Sequence, residues 1–299
     1  VNAQVPRRLV IEHLNGTSQT LQLDIGDRMK VRPAYVANQF YPGDPDELRM
    51  MVETYIEDAA VEEAPQRVSC LVVPHAGYIF SGPTAGHGYR RIRHATPSRV
   101  VLLGVSHRYR FEGLSLYEGD AFDSPLGKAA IDRDFYGQLE KAFPVAGERA
   151  HEYEHSLETQ VPFLKCALGD VPIVPLLLGM PAGKEHAALG SQLAALLAPA
   201  DLVIASTDLS HFLEEDAANT IDRKTIEKVV ANDMDAFLRY VEAEKNAMCG
   251  GAAVLTALSC ASARNVSSHR LLHYSTSAAM SRDYTRVVGY AALSMEYNA

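Results

Sequence analysis

Apolar positions in this chain follow two patterns. Short, unbroken, branched apolar runs lie at 70–73, 100–105, 171–178, 202–205 and 287–293. A run without polar alternation suits a strand buried on both faces, so these five predict the strands of a covered sheet. Between them, apolar residues recur at helical spacing over about 45–60, 83–93, 132–143, 184–197, 219–244 and 250–263. Asp44-Pro45 supplies a cap and a first-turn proline for the first of these helices, Pro83 sits where the second should begin, and Gly169 and Gly179 punctuate the chain. Strands that alternate with helices predict parallel βαβ units, hence an α/β fold with a central, mostly parallel sheet flanked by helices. Residues 7–24 instead alternate apolar and polar positions on both sides of Asn15-Gly16, a dipeptide suited to tight turns, and predict a β-hairpin. With no low-complexity linker, charge block or fixed-period repeat, the expected organisation is one domain over 32–299 preceded by a hairpin extension at 1–31.

Composition narrows the function classes. The 299 residues are 47% apolar and 22% charged, ordinary globular usage, which excludes general disorder. Lys and Arg number 28 against 37 Asp and Glu, and the net charge of −9 repels a phosphate backbone, so nucleic acid is not an expected partner. No apolar run approaches the roughly 18–20 residues that a membrane span needs. Residues 1–8 carry no charged-then-apolar leader pattern. The four cysteines, Cys70, Cys166, Cys249 and Cys260, form no CxxC pair, which fits free thiols in a reducing, cytoplasmic compartment.

Candidate chemistry lies where the strands end. Leu71-Val72-Val73-Pro74-His75, Val101 to Ser106-His107 and Leu202 to Ser206-Thr207-Asp208-Leu209-Ser210-His211 each run from a buried strand through small turn residues into a histidine. One strand-end histidine is ordinarily a hydrogen-bonded loop or core residue. Three in the same position type point to the crevice beyond the carboxyl ends of a parallel sheet, where α/β folds bind ligands. Asp208 and His211 are three apart and would share a face if the chain turns helical there, as an acid/base or ligand pair requires, although Asp208 would serve equally as a helix cap. His155 and Glu158 have the same spacing and offer a proton shuttle or a carboxylate that orients a metal-binding imidazole; the bland alternative is an acidic helix start. Cys249 precedes Gly250-Gly251 and an apolar helix, where exposed amides favour a thiolate able to act as ligand or nucleophile. The other cysteines read as core packing. No phosphate-binding glycine loop and no GxSxG elbow is present, and Ser106 and Ser210 lack the strained glycine context of a serine nucleophile.

Six ordered motifs resemble those of Memo-like proteins: Ala37-Asn38-Gln39-Phe40-Tyr41-Pro42; Pro74-His75-Ala76-Gly77-Tyr78 with Ser81-Gly82; Ser106-His107; Glu154-His155-Ser156-Leu157-Glu158; Ser206 to His211; and Cys249-Gly250. Val287-Val288-Gly289-Tyr290-Ala291-Ala292 also fits, and the resemblance runs from about Val31 to the end. It implies a fold similar to class III extradiol dioxygenases, with a non-haem metal in the strand-end crevice. By motif match, His75, His107 and Cys249 take the ligand positions, and Asp208 and His211 the acid/base positions. The thiol stands where the dioxygenases use a carboxylate, which softens the site: Fe(II) is expected first, and copper or zinc is admitted as well.

The resulting expectation is a metal-dependent, oxygenase-like redox protein acting on a small molecule or peptide, with His211, Asp208 and His155 moving protons. Two other classes use the same residues, a non-catalytic module that holds a peptide in the crevice and a metal-assisted hydrolase. The surplus of titratable groups around the pocket favours an enzyme over a peptide groove.

Overall fold

The computed structural model describes residues 8–12, 18–22, 29–65, 67–179 and 181–298. The chain falls into two units, Val1–Lys30 and Val31–Ala299. In the first, β1 (Arg8–Glu12) pairs antiparallel with β2 (Ser18–Gln22), as the alternating pattern predicts; the Asn15-Gly16 turn lies outside the described residues.

The second unit runs β3 (Val31–Arg32), α1 (Pro45–Glu57), β4 (Val68–Val73), α2 (Tyr78–Arg91), β5 (Val100–Val105), β6 (Leu114–Leu116), β7 (Ala121–Phe122), β8 (Ala129–Ala130), α3 (Arg133–Ala142) and β9 (Val145–Ala146). A 3-10 turn at Glu148–His151 leads to α4 (Gln160–Leu168), β10 (Ile173–Leu178), α5 (Lys184–Leu196), β11 (Leu202–Ser206) and β12 (His211–Leu213). The chain closes with α6 (Glu215–Val230), α7 (Met234–Ala243), α8 (Gly251–Ala263), β13 (Ser268–Thr276), α9 (Ala278–Ser281) and β14 (Val287–Glu296).

At the centre of the large sheet, β4, β11, β5 and β10 lie side by side and parallel. Every residue of these four strands is buried, so both faces must be covered, and continuous apolar runs meet that demand. α8, apolar on nearly every side, lies against β11, β5 and β4 with α5 packed behind it, while α2, backed by α1, lies against β14, β13 and β4. Toward both edges the pairing turns antiparallel: β14 joins β4 and carries β12 and β13, and β6 joins β10. The sheet is therefore mixed around a parallel centre. Among the described residues no helix is long and apolar enough to cross a membrane.

Three elements depart from the sequence reading for identifiable reasons. α2 begins at Tyr78 rather than near 83, because Gly77 accepts from the amides of Phe80 and Ser81, and Pro83 is accommodated inside the helix. The pattern over 219–244 is two helices: Asn232 has φ 53°, a left-handed conformation that ends α6, and the Asp233 carboxylate caps the amide of Ala236 in α7. β13 has no apolar run to reveal it, since a bulge between Leu271 and His273 breaks its alternation and most of its residues stay partly exposed.

Candidate metal centre

Registry brings the chemistry to one edge. Val73 pairs with Ser206 and Leu103 with Ala205, so β4, β11 and β5 release their carboxyl ends side by side. The chain leaving β4 reaches Pro74-His75, the chain leaving β5 reaches Ser106-His107, and the chain leaving β11 reaches Thr207-Asp208. Cys249 arrives from the start of α8. Its amide donates to the Asp208 carbonyl at 3.2 Å, and the Gly250 amide donates to Thr207 Oγ1 at 2.8 Å. A Cβ on Gly250 would stand 2.5 Å from Thr207 Cβ and 2.7 Å from the Ser206 carbonyl oxygen, so only glycine lets this loop lie on the strand end.

The ligand-capable atoms of His75, His107 and Cys249 all lie within 4.8 Å of one another. Their protons are arranged by buried partners. Gln160 Nε2 donates to the Pro74 carbonyl, which can only accept, and so the amide is oriented to donate also to Ser206 Oγ at 2.9 Å. The single Ser206 hydroxyl proton goes to the Ser156 carbonyl, leaving Ser206 Oγ to accept from His75 Nδ1 at 2.9 Å. His75 is thereby the Nδ1–H tautomer, and its unprotonated Nε2 stands 3.3 Å from Cys249 Sγ. His107 is oriented in the same sense by Glu154, whose Oε1 accepts from His107 Nδ1 at 2.9 Å and whose Oε2 accepts from the His107 amide at 2.6 Å. Sulfur also receives the Asp208 amide at 3.3 Å.

Charge and burial tune these groups. Burial holds the His75 imidazole well below its ordinary range, with the charges of His155 and His107 acting in the same direction. In the metal-free protein, burial pulls His107 down, but hydrogen bonds with Cys249 and Glu154 outweigh it and push the ring up to about 10. Glu154 is held far below the carboxylate range by His107 despite its burial. His155 stacks on His107 with ring centroids 4.5 Å apart, meets the His75 ring edge-on, and is pushed down to about 4 by burial. A second cluster, His107, Glu154 and His155, is equally compact, but Glu154 Oε1 already receives His107 Nδ1–H and the amides of His155 and Ser156. That oxygen has no lone pair left for an ion, and Oε2, which accepts the His107 amide, is the one Glu154 carboxylate oxygen that keeps one.

Two expectations about supporting carboxylates need correction. Past Asp208 the chain stays extended into β12 rather than turning helical, so the three-residue spacing from Asp208 to His211 does not create a shared helical face. Asp208 Oδ1 instead accepts the His75 amide at 2.8 Å, Oδ2 lies 4.0 Å from His75 Nε2, and burial pushes the carboxyl up to about 6. The backbone of His211 is clamped by Asn246, which accepts its amide and donates to its carbonyl, and burial lowers the imidazole. Glu158 does not pair with His155. It is fully buried, accepting Arg32 Nη1 at 2.7 Å, the amides of Tyr35 and Val36, and the Tyr41 hydroxyl. The carboxylate that orients an imidazole is Glu154, next to His155, a role that spacing alone did not distinguish. Ser206, Gln160 and Asn246 have no assigned role in the sequence reading; Ser206, a polar residue closing a buried apolar strand, carried a signal, whereas Gln160 at the start of α4 and Asn246 between α7 and α8 carried none.

Comparison with known proteins agrees with the resemblance to Memo-like proteins. The family model described as Memo-like protein matches residues 32–294. A MEMO1 family protein of Methanopyrus kandleri is 36% identical over 279 residues, covering 89% of this chain and 98% of its own. MEMO1 family proteins of Pyrococcus furiosus and Aquifex aeolicus are each 32% identical, covering 89% of this chain and 99% of theirs. A crystal structure of an uncharacterized Escherichia coli K12 protein is 14% identical with a TM-score of 0.47, covering 75% of this chain and 99% of that one.

Proposed function

The chain belongs to the Memo-like protein family, and from that premise we propose that His75, His107 and Cys249 hold a redox-active metal ion, Fe(II) first and copper next, in an oxygenase-like site. The observation that carries this reading is the donor set. Both imidazoles keep their Nδ1 proton on a buried acceptor, the arrangement that orients metal-bound histidines; His75 leaves Nε2 free for an ion, and His107 would release its Nε2 proton when one binds. With metal–nitrogen bonds of about 2.0–2.1 Å and a metal–sulfur bond of about 2.3 Å, tetrahedral ligands would stand roughly 3.5 Å apart. Cys249 Sγ and His75 Nε2 are at 3.3 Å, close to that spacing, and the ligand atom of His107 lies within 4.8 Å of both.

A thiolate beside two imidazoles suits Fe(II), copper and zinc more than magnesium or calcium. Held by His75, His107 and Cys249, an Fe or Cu ion would supply electron exchange with a substrate. The chain's own contribution is to hold and move protons. Asp208, with its carboxyl near 6, is poised to exchange a proton around neutrality, while His155 and His211 are neutral there and accept one. A site built only to grip a peptide has no need of these perturbed groups side by side. A zinc hydrolase would use the same donors, and the metal decides between hydrolysis and redox chemistry.

The test is an anaerobic titration of wild type and Cys249→Ser with Fe(II) and Cu(I). The hydroxyl nearly matches the thiol in size but is a poor substitute as a soft ligand, so affinity should fall by about 100-fold or more while the melting temperature holds. Unchanged affinity in the variant would remove Cys249 from the site.

A further inference from the structure

A second concavity, lined by none of the residues of the metal centre, opens between α5, the chain preceding β6, and the end of α3 with the residues that follow it. Its volume is about 790 Å³, the size of a pocket for a small organic ligand rather than for a single ion. Apolar side chains make most of its wall: Phe111, Leu114, Phe143 and Leu189. The floor is held by backbone. The Gly179 amide donates to the Gly113 carbonyl at 2.8 Å, and a Cβ on Gly179 would come within 2.2 Å of the Phe111 carbonyl oxygen, so the 111–113 segment sits directly on the end of β10. Phe111 and Glu112 are therefore placed by main-chain packing before any ligand arrives.

The carboxylate side chains are the charged groups in the lining of this cavity, with Arg110, Lys141 and Lys184 flanking it in the chain. Glu112 and Glu185 line it and no lysine or arginine does; among the described residues neither carboxylate is paired with a lysine or arginine, and Glu185 Oε1 lies 3.4 Å from His186 Nδ1. Both remain accessible, the Glu185 side chain being 67% exposed. His186, the remaining titratable group in the wall, is buried, receives the Gly183 amide on Nδ1 at 3.1 Å and is lowered by burial, so it adds no positive charge at neutral pH. Two phenylalanine rings beside two carboxylates complement a cation on an apolar body: ring faces attract the cation, the carboxylates neutralise it, and the aliphatic wall buries the rest.

We propose that this cavity is a binding site for a small hydrophobic cation, an aryl- or alkylammonium compound, whose charged head lies toward Glu112 and Glu185 and whose apolar body packs between Phe111, Phe143, Leu114 and Leu189. This site is separate from the metal centre and does not rest on the metal-binding reading.

The experiment titrates the full chain by calorimetry at low salt with benzyltrimethylammonium and, in parallel, with benzyldimethylcarbinol, an uncharged compound of nearly the same shape. Saturable one-to-one binding of the cation is expected, with the carbinol about tenfold weaker or worse, and with comparable weakening in the doubly substituted Glu112→Gln/Glu185→Gln variant. These glutamates are exposed, so the fold should be kept, and a thermal melt checks that. Phe143→Leu should weaken the cation more than the carbinol, since it removes a ring face but keeps apolar surface. Cys249→Ser should leave binding intact. Equal binding of the two compounds, indifference to the double substitution, or absence of saturable binding would overturn the proposal. Loss of binding in Cys249→Ser would move the ligand to the crevice and overturn it as well. A peptide bearing trimethyl-lysine distinguishes a free cation from a protein side chain: weaker binding than the free compound supports the small-molecule site, and binding more than about tenfold tighter overturns it.

Discussion

Replacing Glu158 with glutamine preserves shape and removes a charge, and the structure specifies the cost. Oε1 accepts from the Val36 amide and the Tyr41 hydroxyl, each at 2.8 Å, while Oε2 accepts from Arg32 Nη1 at 2.7 Å and the Tyr35 amide at 3.0 Å. Each oxygen faces two donors, so either orientation of the new amide sets its NH₂ against two N–H or O–H groups. Arg32 is 2% exposed, and its other partners are the carbonyls of Pro33, His151 and Glu154, which are neutral. The guanidinium would remain charged, buried and without a counter-charge. Breaking such a pair costs about 3–5 kcal/mol, a figure that already contains the lost hydrogen bonds. Against a total stability of roughly 5–15 kcal/mol, Glu158→Gln should lower the melting temperature by on the order of 5–10 °C, read by circular dichroism and checked by urea unfolding. Metal affinity of the folded variant should stay near wild type, because among the described residues no hydrogen bond joins Glu158 directly to the three ligands, and the path through Arg32 reaches the Glu154 backbone carbonyl, not the carboxylate that holds His107. The reasoning is refuted if the variant melts within about 1 °C of wild type and loses metal affinity or turnover, since Glu158 would then belong to the crevice.

Other residues have distinct signatures. Glu154→Gln removes the carboxylate that receives His107 Nδ1–H, and metal affinity should fall about 10- to 100-fold in competition titrations with a chelator; an unchanged constant would show that His107 orients itself. His211→Ala should keep metal occupancy and, once a substrate is found, reduce turnover by roughly 10²- to 10⁴-fold, whereas loss of metal would make His211 a ligand. His151 is buried against the Ser115 carbonyl and lowered to about 4 by burial. The unfolded chain therefore takes up this proton first, so the stabilisation is complete above about pH 6.5 and is lost as pH falls through 4, up to about 3 kcal/mol in all. Melting temperatures of the metal-free protein from pH 7 to 4 should show that decline, flattened in His151→Gln; identical slopes would assign the acid sensitivity elsewhere.

How far the fold could be read in advance depended on how each element is buried. The central strands β4, β5, β10 and β11 have apolar residues at nearly every position because both faces are covered, and that requirement is written plainly in the chain. β13 pairs along most of β14 yet keeps one side wet, so its polar residues hid it, and with it the antiparallel turn of the sheet. At the crevice, the strand-end position of His75 and His107 was legible because it follows from strand burial. The supporting roles were not. Glu154 and Glu158 are both acidic, both buried and four residues apart, yet one faces His107 and the other Arg32, more than a hundred residues away in sequence. Spacing carries no information about contacts of that length. Asp208 misled for a related reason: Cys249 folding onto the 206–208 backbone keeps that segment extended, and local sequence does not contain Cys249.

The central claim is that two imidazole nitrogens and one thiolate hold an ion at the carboxyl ends of β4 and β5. X-ray absorption on protein loaded anaerobically with one equivalent of Fe(II), and separately with zinc, tests it directly. The account predicts one sulfur neighbour at about 2.3 Å and two imidazole nitrogens at about 2.0–2.1 Å for zinc, with a sulfur neighbour also seen for iron. The sulfur signal should vanish in Cys249→Ser. A first shell of oxygen and nitrogen alone in the wild type, or a sulfur signal that survives the substitution, would contradict it.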